Sequence, residues 1–290
     1  MSLEIGVLVR RSIWAGVVEG TKLGNVLMYP APGQQAVELR GMRPDEIVGE
    51  IRRLVTELRD GREIAAVGAG FPGIIRNGVI EDSPNLGQLK GLAIANQLAA
   101  ALKAEGVAVP VHAVNDADAL AAGIAVTHSG AALPIRVWYL GEGIGFGHYP
   151  RGEGVWEAGH AVVSLDAKES FCGCGGVGHL EGICGSRAMR MRFLDMEPDE
   201  VFAAARHGDE RATEFVKLWH RALAAATATS VHLEGPGRFY LAGANTDFVD
   251  KKLLDLYLHD MVKMSPLEGS NFEIVPTSHD LALIGAAAGQ

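Results

Sequence analysis

Short apolar runs separated by polar turns open the chain, and helical spacing first appears at residue 44. Residues 3–9 (LEIGVLV) and 13–19 (IWAGVVE) are two such runs with Arg10, Arg11 and Ser12 between them, the pattern of a β-hairpin that starts a sheet. Residues 24–30 (GNVLMYP) predict a third strand, ended by Pro30 and Pro32. From Pro44 to Leu58 the apolar positions Ile47, Ile51, Leu54, Val55 and Leu58 fall on one face of a helix. Residues 64–73 (IAAVGAGFPG) read as a buried strand running into a Gly-Pro turn, 91–105 as a helix, and 107–116 as a strand ending in Asn-Asp.

A second cycle follows: helix 117–126, strand 135–141, and the glycine-rich segment 141–147. Helices over 184–206 and 209–233, a strand over 238–244, a helix near 246–264, a strand over 272–276 and a small-residue helix over 280–289 complete the pattern. Strands followed by helices, twice over, imply an α/β fold in two similar halves. The change of cycle near 112–116 sets the expected boundary, with residues 1–114 plus 279–290 as a smaller domain and 115–278 as a larger one.

Composition narrows the function. The 290 residues are 48% hydrophobic and 21% charged, ordinary for a soluble globular protein. A formal net charge of -9 gives no basic surplus to displace counterions, which argues against nucleic acid as a partner. No apolar run reaches membrane-spanning length, and the first residues lack the charged-then-apolar order of a secretory signal. Three cysteines, two of them one residue apart, do not make a disulfide framework, so a reducing, cytoplasmic location is expected.

Candidate chemistry gathers between residues 157 and 184, a stretch holding all three cysteines (Cys172, Cys174, Cys184) together with Glu157, His160, His179 and Glu181. A thiolate pair at C-x-C spacing, flanked by histidines, has the makings of a tetrahedral zinc shell. The alternative is a glycine-rich surface loop with incidental cysteines. Asn115 and Asp116 lie at the C-terminal end of an apolar strand, where α/β sheets bind ligands and where a carboxylate can take a proton from a hydroxyl. The same pair also makes a plain helix N-cap. Asn85, in Ser-Pro-Asn-Leu, fits either a ligand contact or an Asx-turn. Gly141, Gly143 and Gly145 form a G-x-G-x-G loop whose amides suit a phosphate.

Taken together, GFPG (70–73), SPNL (83–86), NDADALAAG (115–123), GEGIGFG (141–147), EAGH (157–160), CGCGGVGHLE (172–181) and LIGAAAG (283–289) resemble the ROK family of sugar kinases and sugar-responsive repressors, over nearly the whole chain. The resemblance implies a two-domain α/β fold of the actin/hexokinase/Hsp70-like ATPase type, with ribonuclease H-like halves and a sugar cleft between the domains. It implies Asp116 as the base toward the sugar hydroxyl, and Asn85, Asn115, Glu157, His160 and Glu181 as hydrogen-bond partners of the other hydroxyls. It also implies a structural zinc on His160, Cys172 and Cys174. The family's fourth ligand is usually a third cysteine; His179 stands at that position here, with Cys184 as the fallback. ATP and magnesium are the implied reactants, a hexose or N-acylhexosamine the implied sugar, and a homodimer or homotetramer the implied assembly.

The nucleotide side departs from the pattern. Where members carry an Asp-x-Gly-Gly-Thr phosphate loop, this chain has Leu8, Arg10, Arg11 and Ser12. Glu142 replaces a threonine in the second phosphate loop, and the adenosine-side glycine pair is reduced to Ala242-Gly243. Two readings therefore stand: an ATP-dependent sugar kinase, and a zinc-containing carbohydrate-binding sensor that has lost ATP. A DNA-binding repressor acting alone is not expected, because the chain starts at its first strand. Arg10 and Arg11 are either anion-holding forks or simple turn residues.

Overall fold

The computed structural model describes residues 3–128, 134–152, 154, 157–276 and 279–288. Residue 289, the end of the expected last helix, lies outside the described residues, as do the outer bounds 1, 278 and 290 of the expected domains. Among the described residues no helix is long and apolar enough to cross a membrane.

The chain forms two compact units. One comprises Met1–Ile135, Gly147–Val155 and Ser278–Gln290, the other Arg136–Phe146 and Trp156–Thr277. This division differs from the one drawn at the change of cycle. Helix α3 (Asp116–Thr127) is alanine-rich and buried along most of its length, and it packs against α9 (His279–Ala287), so it clusters with the first unit.

The first unit is built on a five-stranded sheet, β1 (Leu3–Val9), β2 (Ile13–Glu19), β3 (Lys22–Tyr29), β4 (Ile64–Phe71) and β7 (Val111–Asn115), in the order β3-β2-β1-β4-β7. Strands β1, β2 and β3 form an antiparallel meander, and β4 and β7 add in parallel. Helix α1 (Pro44–Arg59) buries Ile47, Ile51, Leu54, Val55 and Leu58, the five residues that its spacing places on one face. Leu98 and Leu102 of α2 (Ile94–Ala104) join the same core. A short hairpin, β5 (Ile74–Arg76) and β6 (Val79–Asp82), turns at Asn77-Gly78, both with positive φ.

The second unit carries the sheet β11-β10-β8-β9, from β8 (Ile135–Leu140), β9 (Ile144–Tyr149), β10 (Arg238–Ala242) and β11 (Asn271–Ile274). The glycine-rich segment after β8 is thus itself a strand from Ile144 on, with Ile144 and Phe146 buried and the intervening Gly145 half-buried. Its core gathers Trp138, Trp219, Phe239 and Phe272. The helical stretch 184–206 is three pieces, α4 (Glu181–Cys184), α5 (Ser186–Arg192) and α6 (Pro198–Arg206). Gly185 interrupts the first join, and Pro198 supplies the first residue of the last piece, where its missing N–H costs nothing. Helix α7 (Glu210–Glu234) follows, and α8 (Lys251–Met261) starts at an Asp250 side chain that accepts from the amides of Lys252 and Leu253.

Candidate functional site

Residues 157–184 fold back on themselves without long elements. An isolated bridge joins Val162 to His179, and the Gly178 amide donates to the Glu169 carbonyl. Glu169 is buried and pairs with Arg192 of α5, whose guanidinium lies over the Phe171 ring at 4.5 Å, so the loop is pinned to the body of its unit. Gly176 passes so close to His179 that a Cβ there would lie 2.0 Å from the ring. This packing brings four ligand atoms, from His160, Cys172, Cys174 and His179, within 4.8 Å of one another.

Neighbouring atoms of the quartet are evenly spaced. Nδ1 of His160 is 3.4 Å from Sγ of Cys172, Cys172 Sγ is 3.4 Å from Cys174 Sγ, and Cys174 Sγ is 3.2 Å from Nδ1 of His179. Bonds of about 2.0–2.3 Å to a tetrahedral zinc hold their ligands roughly 3.3–3.8 Å apart, so the two sulfurs and two nitrogens fit such an ion. Burial, helped by Cys174 and Glu181, pushes the Cys172 thiol up to about 12, and a dication is the counter-charge that a buried thiolate at Cys172 requires. Burial, then the adjacent His160, keeps the His179 imidazole below its usual range and hence neutral, the form that ligates metal. Cys184 lies apart: its buried thiol donates to the Trp219 carbonyl at 3.4 Å. The fourth position of the quartet is therefore His179.

Two of the expected sugar contacts are set against this loop. The other ring nitrogen of His160, Nε2, stands 4.0 Å from Oε2 of Glu157. Glu181 accepts from the Ile144 amide through Oε2 at 3.1 Å, and the Cys172 thiol donates to its Oε1 at 3.5 Å. The quartet therefore meets two carboxylates, Glu157 through His160 and Glu181 through Cys172.

In the first unit, Asn115 caps α3: its Oδ1 accepts from the amides of Ala117 and Asp118, and its Nδ2 donates to the Gly73 carbonyl. Asn85 is exposed and bound by Arg40, whose Nε and Nη2 donate to its backbone and side-chain oxygens. Asp116, at the first turn of α3, receives Nε of Arg10 on Oδ2 at 2.6 Å. Arg10 thus has a specific partner across the sheet, contrary to the simple turn-residue alternative. Leu8 is wholly buried, Arg11 is exposed, and the carbonyl of Ser12 accepts from the Arg10 amide.

The second phosphate loop belongs to the other unit. Glu142 accepts from Nη1 of Arg190 at 2.9 and 3.1 Å, so a cation already meets its charge. The Gly141 amide donates to the Gly143 carbonyl, and the Gly141 carbonyl accepts from Nδ2 of Asn245. Gly243 follows β10, and its carbonyl accepts from the Thr246 hydroxyl. Arg190, which holds Glu142, and Asn245, which ties the Gly243 turn to Gly141, have no motif signal in the sequence. Among the described residues the set at Leu8–Ser12 does not fit a magnesium-held triphosphate: no carboxylate stands where an apolar side chain is buried.

Asp118, two residues beyond Asp116, is buried; its Oδ1 accepts from the His148 amide and its Oδ2 is 3.7 Å from Nε of Arg151. Burial raises its carboxyl from the ordinary 3.8 to about 6, against the opposing pull of the His148 amide and Arg151. The native state thus holds this proton more tightly than the unfolded chain. Its stabilising contribution is complete below 3.8 and is lost as the pH rises through about 6. At about 1.4 kcal/mol per pH unit, the ceiling is about 3 kcal/mol. Asp118→Asn removes this dependence. Chemical denaturation at pH 4.5 and 7 should show the variant gaining on the wild type as pH rises, and equal differences at both pH values would refute the assignment.

A sequence profile of the ROK family matches residues 35–288, beginning after the Leu8–Ser12 turn. A glucokinase from Pyrobaculum calidifontis is 30% identical over 259 residues, covering 81% of each chain. The structure is similar to a ROK hexokinase from Thermus thermophilus, with a TM-score of 0.78 at 24% identity over 98% of this chain and 96% of the other. It is also similar to a ROK glucokinase from Streptomyces griseus, solved with glucose and AMPPNP, with a TM-score of 0.73 at 22% identity over 99% and 98%. These likenesses give the fold as that of the actin/hexokinase ATPases. With the profile covering most of its length, the chain belongs to the ROK family.

Proposed function

We propose that this chain is a sugar kinase-like protein that binds a hexose or N-acylhexosamine and accepts a hydroxyl proton on Asp116 as a phosphoryl group is transferred. The observation that supports this best is the set His160, Glu157 and Glu181 fixed to the Cys/His quartet. A sugar presents several hydroxyls, each needing a partner, and these groups supply acceptors and a ring N–H held in one orientation. On this reading the quartet holds a structural zinc, Asn85 and Asn115 add amide contacts, and the glucokinase relatives point to a hexose. The same reading makes the protein a cytoplasmic homodimer or homotetramer, which analytical ultracentrifugation checks.

A second reading, a sugar sensor without transfer, is favoured by one specific observation: the buried Leu8 and the Arg10–Asp116 pair at the first phosphate loop. Calorimetric titration separates the two, using glucose, N-acetylglucosamine and N-acetylmannosamine, and then ATP with magnesium. Sugar binding without nucleotide binding decides for the sensor. If both bind, Asp116→Asn should leave sugar affinity within a few fold and lower phosphorylation by about 10²–10⁴, the usual worth of a general base. Full activity in that variant would exclude Asp116 as the base.

A further inference from the structure

We propose that Arg10 takes the place of the metal ion at the phosphate end of this site, meeting the terminal phosphate of a phosphoanhydride donor with its guanidinium. The inference rests on the reading of Asp116 as the base toward a sugar hydroxyl. That reading sets a negative carboxylate against a negative phosphate, and the approach is unfavourable unless a cation lies between them. A metal held by a carboxylate ordinarily serves, and Leu8 offers none. The cation that does stand beside Asp116 is Arg10, with Nε 2.6 Å from Oδ2 and Nη2 3.5 Å from the Asp116 carbonyl. The two side chains are 14% and 16% exposed, so little water screens the pair.

The turn that presents Arg10 is short and tied, with the Arg10 amide donating to the Ser12 carbonyl between β1 and β2. The guanidinium therefore starts from a fixed place on Asp116 and carries a fork that matches phosphate oxygens. With donor bound, it moves from the carboxylate to the terminal phosphate, and the freed carboxylate oxygen accepts the hydroxyl proton. The hydroxyl oxygen forms the new O–P bond. The bridging P–O bond breaks, and its electron pair leaves with the shortened donor; nothing is oxidised or reduced. Donor arrival and exposure of the base are thereby one event.

The test is donor binding to the full chain saturated with glucose, measured by calorimetry with ATP and with inorganic tripolyphosphate, with and without magnesium. Wild type should bind at least one of them in magnesium-free buffer within about threefold of its affinity with magnesium. Arg10→Ala should weaken that binding by at least about tenfold, as loss of a charge-assisted fork does, and Arg10→Lys should recover part of it. Both variants should bind glucose within about threefold of wild type. Binding of tripolyphosphate as well as ATP places recognition on the phosphates; ATP alone places part of it on the nucleoside. A strict magnesium requirement in wild type, or an Arg10→Ala protein that binds donor equally well or better, overturns the proposal. The wild-type comparison decides even if a variant fails to fold. If glucose binds and neither donor does, this inference fails and the sugar site stands; if glucose does not bind, both fail.

Discussion

A Cys172→Ser protein is expected to purify without its metal and to bind sugar one to two orders of magnitude more weakly than wild type. Cys172 is the most enclosed member of the quartet and touches three of its neighbours: His160, Cys174 and Glu181. A serine hydroxyl is a poor zinc ligand, and three remaining ligands do not close a tetrahedral shell. Structural zinc sites are worth on the order of 10 kcal/mol to the segment that forms them, so losing one should release the loop rather than adjust it. Release matters for sugar because the imidazole that faces Glu157 is the same ring whose Nδ1 faces the sulfurs. Loss of such an orienting contact costs about 10–100-fold in comparable metal sites. Elemental analysis should find about one zinc per chain in wild type, the number a single four-ligand site allows, and near none in the variant. Cys184→Ala is the control, because that buried thiol lies apart from the quartet and donates to the Trp219 carbonyl, and it should keep the metal. A metal-loaded Cys172→Ser protein, or one with unchanged sugar affinity, would end the case for the quartet as the anchor of this site.

How far the sequence disclosed this arrangement depended on range. Helix α1 was legible because five apolar residues repeat on one face, and the meander because each strand meets its chain neighbour. The quartet was legible too, since its members lie within 20 residues and thiolates with imidazoles have few other reasons to cluster. The hairpin at Asn77-Gly78 carried a clear local signal, an Asn-Gly turn between apolar residues, which the reading of 64–73 as a strand and turn passed over. Other contacts had no local trace. Arg10 and Asp116 are 106 residues apart and Arg190 and Glu142 are 48 apart, so no local pattern pairs them. The division into units differs from the expected one for the same reason: α3 follows a strand in order, but its small residues are matched to α9, far along the chain. Asn115 shows the converse, a residue whose capping role was as plain as its proposed contact and whose polar atoms the fold already uses.

That match between α3 and α9 makes a single added methyl group costly. A Cβ added at Gly285 would lie 1.8 Å from the Ala119 carbonyl oxygen and 2.4 Å from the Gly123 amide nitrogen, both backbone atoms. The contact is reciprocal, because a Cβ at Gly123 would lie 1.8 Å from the Leu281 carbonyl oxygen. Backbone cannot rotate away as a side-chain tip can, so the helices must part, and with them the buried faces of Ala119, Ala286 and Leu283. Overpacking of this kind costs about 3 kcal/mol or more, roughly a 10 °C fall in melting temperature for a unit of this size. Gly285→Ala should therefore melt well below wild type in scanning calorimetry. Helix propensity alone predicts the opposite sign, since alanine gains about 0.5–1 kcal/mol over glycine inside a helix. Gly49→Ala in α1 isolates that gain: nothing lies within 4 Å of its Cβ, and it should melt slightly higher. If Gly285→Ala behaves like Gly49→Ala, α3 and α9 are not in backbone contact. The start of α3, where Asp116 is held, would then owe its place to something other than this packing.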